Sequence, residues 1–226
     1  MLRTLPLLAA SVLIATLALA CGGDGAGETP TTGQTPTTGQ TPTTDQTPTS
    51  SPIPTPTLLT FPERPEITID PDKKYVAIVE TVKGTFRIEL RPDLAIQTVN
   101  SFIFLAREGY YDGVTFHRVI PGFVAQGGDP TGTGSGGPGY NLPAEFSDLP
   151  FERGTVAMAR TSDPDSGGSQ FFITYTDRPD LNGQYTVFGK VVEGMEVVDA
   201  LTPREPADPN APTGDAIIRI EIEEGE

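Results

Sequence analysis

The arginine at position 118 is the residue whose surroundings point most clearly to chemistry. It stands in GVTFHRVIPGFVAQGGDPTGTGSGGPGY (residues 113–140), among apolar and aromatic residues and close to a glycine-rich loop. Placing a guanidinium in an apolar cleft is costly unless its fixed set of donors is used there. We therefore take Arg118 as the centre of a candidate site.

The residues around this arginine favour a reaction in which no bond is broken. Phe123 and Gln126 follow on the next strand-like segment, and Phe171 and Phe172 stand in GSQFFITY. They include no obvious nucleophile and no acid–base pair. Rotation about an X–Pro bond fits, because its barrier of about 20 kcal/mol arises from amide resonance. A guanidinium that donates to the prolyl nitrogen would favour the twisted amide, while apolar walls hold the ring.

Other chemistries find little support in the chain. One histidine, His117, and one cysteine, Cys21, cannot build a zinc site of the usual kind. The glycines of GTGSGG (residues 132–137) do not open a helix, so a dinucleotide site is not expected. The acidic pair in TSDPDSGG (residues 161–168) lacks the remaining calcium ligands and indicates a turn. No cofactor and no metal are expected.

The elements that must position these residues begin with a hairpin and a helix. YVAIVE (75–80) and GTFRIEL (84–90) alternate in polarity and are rich in β-branched residues, which predicts two paired strands. Apolar residues then recur at helical spacing over 94–108. Asp93 is the expected N-cap and Gly109 the expected C-cap of this helix.

Short strands dominate the rest of the chain. Strand-like segments are expected at 115–119, 123–126, 154–159, 169–174, 186–192 and 216–223, with a second short helix at 193–201. Many short strands separated by glycine and proline loops predict a mainly β fold, a closed eight-stranded antiparallel barrel. Closure would remove exposed strand edges, and the two α-helices would cap the open ends.

The first 20 residues predict a signal peptide. Arg3 precedes an apolar run over 7–20 that is too short to span a bilayer comfortably. The run ends in ALAC, which resembles the lipobox of bacterial lipoproteins although Ala18 stands where leucine is usual, so Cys21 is the expected lipidation site. The alternative is an ordinary cleaved signal followed by an incidental cysteine. Both alternatives predict a mature protein outside the cytoplasm.

Composition separates a linker from one folded domain. Residues 21–60 repeat TPTTGQ and hold almost nothing apolar, which predicts a disordered Thr/Pro-rich spacer after the lipidation site. Residues 61–226 fit one domain with one core. The formal net charge of the chain is −15, which argues against nucleic acid and anionic membrane surfaces as partners. We expect membrane contact through the lipid anchor only.

Three stretches, residues 110–140, 168–174 and 186–199, resemble the cyclophilin-type peptidyl-prolyl cis-trans isomerases, within a match that runs from about 75 to 223. The resemblance implies an eight-stranded barrel capped by two helices. It also implies an isomerase that acts on proline-containing polypeptides, and we expect a monomer. By motif, Arg118 is the implied catalytic arginine and Gln126 its orienting partner, and Phe123 belongs to the same set.

The resemblance further implies a substrate-binding surface around this set. Its residues are His117, Val124, Met158, Ala159, Arg160, Phe172, Leu181 and Tyr185. Asp180 stands where cyclosporin-sensitive members carry tryptophan, and the chain has no tryptophan. This departure bears on drug sensitivity rather than on isomerase activity.

Three alternatives stay open at this point. The protein could be a proline-binding module or a holdase chaperone whose isomerase activity is incidental. It could be a small-molecule-binding barrel, which a filled interior would exclude. At the level of residues, Arg118 could form only a surface salt bridge, and Phe123 and Phe172 could be plain core.

Overall fold

A computed structural model describes residues 52–225 of the chain, and within this range it contains eight strands and two helices. The strands are β1 (Tyr75–Thr81), β2 (Gly84–Leu90), β3 (Arg118–Ile120), β4 (Val124–Gly127), β5 (Thr155–Met158), β6 (Phe171–Thr174), β7 (Val187–Glu193) and β8 (Ile217–Glu224). The helices are α1 (Ile96–Arg107) and α2 (Met195–Asp199), and one 3₁₀ turn, Pro179–Leu181, lies between β6 and β7. The signal peptide, Cys21 and most of the proposed linker fall outside the described residues.

The strands form one antiparallel sheet in the order β3-β4-β6-β5-β7-β2-β1-β8. The hairpin expected from alternation is confirmed, with Thr81 paired to Gly84 beside the turn. Within residues 52–225, β3 and β8 are the two ends of the sheet and do not pair as a ladder. The expectation of a closed barrel is therefore wrong, and the sheet is an open half-barrel.

Local backbone geometry explains why the barrel stays open. The chain before β3 contacts the start of β8 over a short stretch, residues 113–116 against 215–217, through three backbone hydrogen bonds such as Gly113 N–H to Ile217 O at 2.8 Å. Val119 of β3 instead exchanges two hydrogen bonds with Arg204, in the proline-rich loop before β8. This loop occupies the edge of β3, and it satisfies backbone groups that a closing strand would otherwise pair.

The helix α1 is confirmed, but the residue that caps its N-terminus was mispredicted. Asp93 does not cap the helix, because both of its carboxylate oxygens accept hydrogen bonds from Arg91 at 2.8 and 2.7 Å. The first free N–H groups of α1, on Gln97 and Thr98, donate instead to the carboxylate of Glu145 at 3.0 and 2.9 Å. A carboxylate at a helix N-terminus also interacts favourably with the helix dipole. The cap thus comes from a loop that is distant in sequence.

Aromatic side chains fill the space between α1 and the sheet. Phe102 of α1 packs edge-on against Phe171 of β6, with ring centroids 5.7 Å apart, and it also contacts Tyr111 and Phe188. These four rings are fully buried together with isoleucine, valine and leucine side chains of both layers. Across the described residues this interior is filled by the protein's own side chains. The alternative of a small-molecule-binding barrel is therefore wrong.

The segment that precedes β1 packs against the domain. The backbone N–H of Phe61 donates to Pro138 O at 2.8 Å, and the Phe61 ring contacts Phe104 of α1 with centroids 5.0 Å apart. Further along, the amide of Asn100 accepts from Thr68 N–H at 3.0 Å and donates to the backbone of Glu66 at 3.0 Å. We call residues 54–69 the strap. The first residues of the strap pack closely against Gly113. A Cβ added to Gly113 would lie 2.3 Å from the carbonyl oxygen of Pro54.

The glycine-rich loop after β4 wraps around one carboxylate. The oxygens of Asp129 accept the N–H groups of Thr131 at 2.7 Å and Gly134 at 2.6 Å. A Cβ at Gly136 would lie 2.1 Å from Asp129 Oδ1, so the loop closes tightly over this group. These hydrogen bonds lower the pKa of Asp129 against the opposing effect of burial. The loop is thereby fixed in shape by a charged group beneath it.

His117 is buried beside this loop. Its side chain is 1% exposed, and neither ring nitrogen has a hydrogen-bond partner among residues 52–225. Burial lowers the pKa of His117 below its ordinary value of 6.5; nearby Asp129 opposes this effect, while Arg204 and Arg118 add to it. The ring is therefore held neutral inside the folded protein.

Gly128 gives the first testable prediction. Its φ is +87°, and a Cβ there would lie 2.2 Å from Ser169 O, so both backbone strain and a clash oppose any side chain. Gly128→Ala is expected to lower the free energy of unfolding by about 3 kcal/mol, from the left-handed conformation and the overpacking together. Urea denaturation measures this. Gly183→Ala is the matched control, because Gly183 has φ +66° and open space around it. Equal losses in the two variants would contradict the assigned close approach.

The buried histidine gives a second prediction, on acid stability. Because the folded-state pKa of His117 lies below the unfolded value, the unfolded chain binds a proton below pH 6.5 that the folded chain does not. Stability should therefore fall as pH drops from 7.5 to 5.5, by at most about 1.4 kcal/mol per pH unit. His117 is the sole histidine of the sequence, so His117→Gln should remove most of this slope.

The wild-type protein offers an independent check. The C2 proton of its one histidine should titrate in NMR spectra with a midpoint below pH 6.5. A midpoint at or above pH 6.5, or an unchanged slope in His117→Gln, would show that burial does not hold the ring neutral.

Candidate active site

The register of four neighbouring strands sets out the candidate site. Arg118 of β3 lies opposite Gln126 of β4, Gln126 lies opposite Phe172 of β6, and Phe172 lies opposite Ala157 of β5. Directly paired residues project from the same face of a sheet, so these four side chains form a row. Phe171, one residue away, faces the opposite side and enters the main core, as strand alternation predicts.

A cavity of about 180 Å³ opens above this row. Nine of the residues expected from the sequence line it, namely Arg118, Phe123, Val124, Gln126, Ala159, Arg160, Phe172, Leu181 and Tyr185. We call this cavity the apolar pocket. The structure thus brings together residues from β3, β4, β6 and three separate loops.

The floor of the apolar pocket belongs to a second apolar cluster, separate from the main core. Phe172 stacks on Phe151 with centroids 6.2 Å apart, and it meets Tyr185 edge-on at 5.3 Å. Phe172 and Phe151 are almost fully buried, so the alternative of plain core is correct in part: Phe172 is a core residue with one side on the pocket. Sequence analysis missed Phe151, because it stands in a loop without periodicity.

Arg118 lies at the mouth of the apolar pocket. Its guanidinium carbon is 5.4 Å from the centroid of Phe123, and its side chain is 32% exposed. The arginine therefore has an apolar wall on one side and solvent on the other, rather than full burial. Its Nε lies 4.0 Å from Glu205 Oε2, a distance at which an exposed ion pair contributes about 1 kcal/mol or less. Such a contact leaves the donors of the guanidinium available.

Gln126 is fixed by a chain of amides rather than by Arg118. Its Nε2 donates to Gln170 Oε1 at 3.0 Å, and Gln170 Nε2 donates to Gly136 O at 2.9 Å. Among residues 52–225 no hydrogen bond joins Gln126 to the Arg118 guanidinium, although the register makes them neighbours. The orienting role of Gln126 stays a prediction. Gln170 was missed, and its place directly before the paired phenylalanines was the available signal.

Arg178 is a third residue that sequence analysis missed. Its guanidinium lies 4.1 Å from the centroid of Phe123, so that ring contacts two guanidiniums. Asp180 holds Arg178 with two hydrogen bonds, at 2.9 and 2.6 Å. Asp180 therefore positions a cation against the pocket wall.

Two expected substrate-binding residues lie outside the apolar pocket. His117 is buried under the glycine-rich loop, and Met158 is 4% exposed within the main core. A Cβ added to Gly167 would lie 2.9 Å from Met158 Cγ, so Met158 packs directly behind the loop that contains Gly167. Both residues shape the site from behind, and their contact with substrate stays a prediction.

A larger polar cavity of about 780 Å³ adjoins the apolar pocket, and the two share Gln126, Ala159 and Arg160. Backbone of the glycine-rich loop forms one of its walls, and residues of TSDPDSGG (161–168) form another. Together the two cavities make a groove with an apolar end and a hydrogen-bonding end. An extended peptide could place one ring in the first and its neighbouring residues in the second.

Two further observations bear on the chemistry of the described part of the chain. Between residues 52 and 225, no three acidic, histidine or cysteine side chains come together as metal ligands would. In the same range, no helix combines the length and the apolar character needed to cross a bilayer. The groove combines apolar walls with the guanidiniums of Arg118 and Arg160.

Comparison with known proteins identifies, over most of the domain, the family that the sequence resembles. The family model described as cyclophilin type peptidyl-prolyl cis-trans isomerase/CLD matches residues 75–222. A peptidyl-prolyl cis-trans isomerase of Synechococcus elongatus is 45% identical over 148 residues, which cover 65% of this chain and 94% of that protein. Peptidyl-prolyl cis-trans isomerase B of Bacillus subtilis is 56% identical over 110 residues, which cover 48% of this chain and 76% of that protein.

Solved structures agree with this assignment. The crystal structure of a cyclophilin type peptidyl-prolyl cis-trans isomerase from Cryptosporidium parvum aligns with a TM-score of 0.62 at 34% identity, over 68% of this chain and 99% of that chain. A second structure of that protein, in the presence of the dipeptide Ala-Pro, aligns with a TM-score of 0.60 at 35% identity, over 66% and 98% of the two chains. The half-barrel, the apolar pocket and these similarities together establish that the chain belongs to the cyclophilin-type peptidyl-prolyl cis-trans isomerases.

Proposed function

We propose that this isomerase accelerates X–Pro rotation in polypeptides that fold outside the cytoplasm, with Arg118 as its catalytic residue. The observation that carries the proposal is the Arg118 guanidinium at the mouth of a pocket walled by Phe123 and Phe172. The related Cryptosporidium parvum protein, whose structure was determined in the presence of Ala-Pro, supports a proline-containing substrate.

In this mechanism the proline ring enters the apolar pocket. Phe123, Val124, Phe172 and Leu181 contact the ring and hold it while the preceding carbonyl rotates. Arg118 donates a hydrogen bond to the prolyl nitrogen, whose lone pair becomes available only when amide resonance is broken. The donor therefore stabilises the twisted amide more than either planar isomer.

Arg118 and the apolar walls can supply the free energy that such a rate acceleration requires. An acceleration of about 10⁵-fold requires about 7 kcal/mol of differential stabilisation. Removing one donor aimed at a transition state typically costs about 2.7–4 kcal/mol. The apolar walls supply the remaining stabilisation, because they bind the proline ring while leaving the preceding carbonyl free to rotate.

Substitution of Arg118 gives the third prediction. Arg118→Ala should lower kcat/KM for a proline tetrapeptide by about 100- to 1000-fold, because the donor to the prolyl nitrogen is lost. Arg118→Lys should recover little of this, since an ammonium lacks the planar fork of donors. Magnetisation-exchange NMR on the peptide measures the rates without a coupled protease. Arg219→Gln, which removes a charge on β8 remote from the pocket, should behave as wild type.

The same variants separate catalysis from mere binding. The larger polar cavity offers a peptide-binding surface, which favours a proline-binding module or holdase as the second candidate function. If the isomerase assignment is correct, Arg118→Ala retains a native circular dichroism spectrum and loses turnover. Slow turnover by the wild type, together with unchanged rates in Arg118→Ala, would favour the binding module.

The setting outside the cytoplasm gives the fourth prediction. We propose that residues 1–20 direct export and that Cys21 carries the lipid, as the apolar run and the ALAC sequence indicate. In a bacterial host, the full-length chain should incorporate labelled palmitate and sediment with membranes. Cys21→Ser should abolish both, while its isomerase rate stays at the wild-type value. A wild-type chain that takes up no label would overturn the lipid anchor, and retention inside the cell would overturn the exported setting.

A further inference from the structure

Arg160 occupies the junction between the apolar pocket and the larger polar cavity, and it lines both. Its side chain is held in one place by neutral groups. Nε donates to Gln184 O at 2.9 Å, Nη1 donates to Thr161 O at 2.9 Å, and the guanidinium carbon lies 4.8 Å from the centroid of Tyr185. These contacts orient the guanidinium without neutralising it, and Nη2 has no acceptor among residues 52–225.

The other two guanidiniums at the apolar pocket have carboxylate neighbours. Arg118 has Glu205 at 4.0 Å, and Arg178 is bound by Asp180. Within the described range, no carboxylate oxygen comes within 4.0 Å of Arg160. Arg160 is therefore a pre-positioned cation without a carboxylate partner, in a chain of net charge −15 where acidic side chains outnumber basic ones two to one. It marks a place where an anionic group from outside is favoured.

We propose that Arg160 is a specificity-determining residue that binds an acidic side chain, aspartate or glutamate, one or two residues before the target proline. This proposal rests on the isomerase function proposed above. With the proline ring in the apolar pocket, neighbouring residues at about 3.3–3.6 Å per residue extend past Gln126 and Ala159 into the larger cavity. A carboxylate there meets the free edge of the guanidinium, which is preorganised and so loses little side-chain entropy on binding.

One acidic residue opposes this preference. Asp163 also lines the larger cavity, where its Oδ1 accepts the N–H of Asp165 at 3.0 Å. Asp163 therefore repels an incoming carboxylate, whereas Arg160 attracts it. The expected preference is the balance of the two, and it should be sensitive to salt because the cavity is open to solvent.

The experiment compares peptides that differ only in charge. Acetyl-X-Ala-Pro-Phe-amide and acetyl-Ala-X-Pro-Phe-amide are each made with X as glutamate or glutamine, and kcat/KM is measured at pH 7.5 by exchange NMR. The full-length wild type should prefer glutamate by about two- to fivefold in at least one series at low salt, which is the range of an exposed ion pair. In 0.5 M NaCl the ratio should approach one.

Variants then test whether Arg160 causes the preference for glutamate. Arg160→Gln should bring the glutamate-to-glutamine ratio to about one, and Asp163→Asn should raise the ratio above that of the wild type. A general loss of activity cancels in the ratio, which a purely structural role of Arg160 would not change. Arg219→Gln controls for the net charge of the chain and should keep the wild-type ratio.

The possible outcomes separate this inference from the function on which it rests. A wild-type ratio of one in both series, or a preference that persists in Arg160→Gln, overturns the role of Arg160 while leaving the isomerase intact. Failure of the wild type to turn over any peptide overturns the proposed function itself. A preference for glutamate that vanishes only in Arg160→Gln supports the inference.

Discussion

The pairing of β4 with both β3 and β6 is the constraint on which the site depends. It fixes Arg118 beside Gln126 and Gln126 beside Phe172, so donor and apolar floor reach the same face without any long loop to place them. A register shift of one residue in β6 would turn Phe172 into the core and Phe171 into the pocket. The packing of Phe171 against Phe102 stabilises the observed register, and the main core thereby aligns a site that lies on its outer side.

Arginines carry the electrostatics of this groove, although the chain is strongly acidic. Each of the three is positioned differently. Arg178 is bound by a carboxylate, Arg118 lies near one, and Arg160 is fixed by backbone carbonyls and an aromatic ring. Because a neutralised cation attracts substrate weakly, the three environments suit different proposed roles for chemically identical groups: Arg178 as part of the wall, Arg118 as the donor to the prolyl nitrogen, and Arg160 as the residue that binds a substrate carboxylate.

The glycine-rich loop forms one wall of the groove, beside the larger polar cavity. This wall consists of backbone, and buried polar groups hold it in place. Asp129 binds the glycine-rich loop from beneath, and the Phe61 N–H of the strap binds Pro138 at its far end. Glycine permits this close approach but supplies no stability of its own. The loop keeps its shape because charge-assisted hydrogen bonds and the strap replace the packing that side chains would otherwise give.

The sequence by itself determined the local elements, and the family resemblance predicted nine residues that line the apolar pocket. Strand alternation predicted the first hairpin and the opposite directions of Phe171 and Phe172, and helical spacing predicted α1, because these patterns depend on neighbours within a few residues. Only the tertiary structure decided that Glu145 caps α1, that Arg178 covers Phe123 and that a proline-rich loop, rather than β8, occupies the edge of β3. Those contacts join residues far apart in the chain, and a single sequence carries no periodic signal for such pairs.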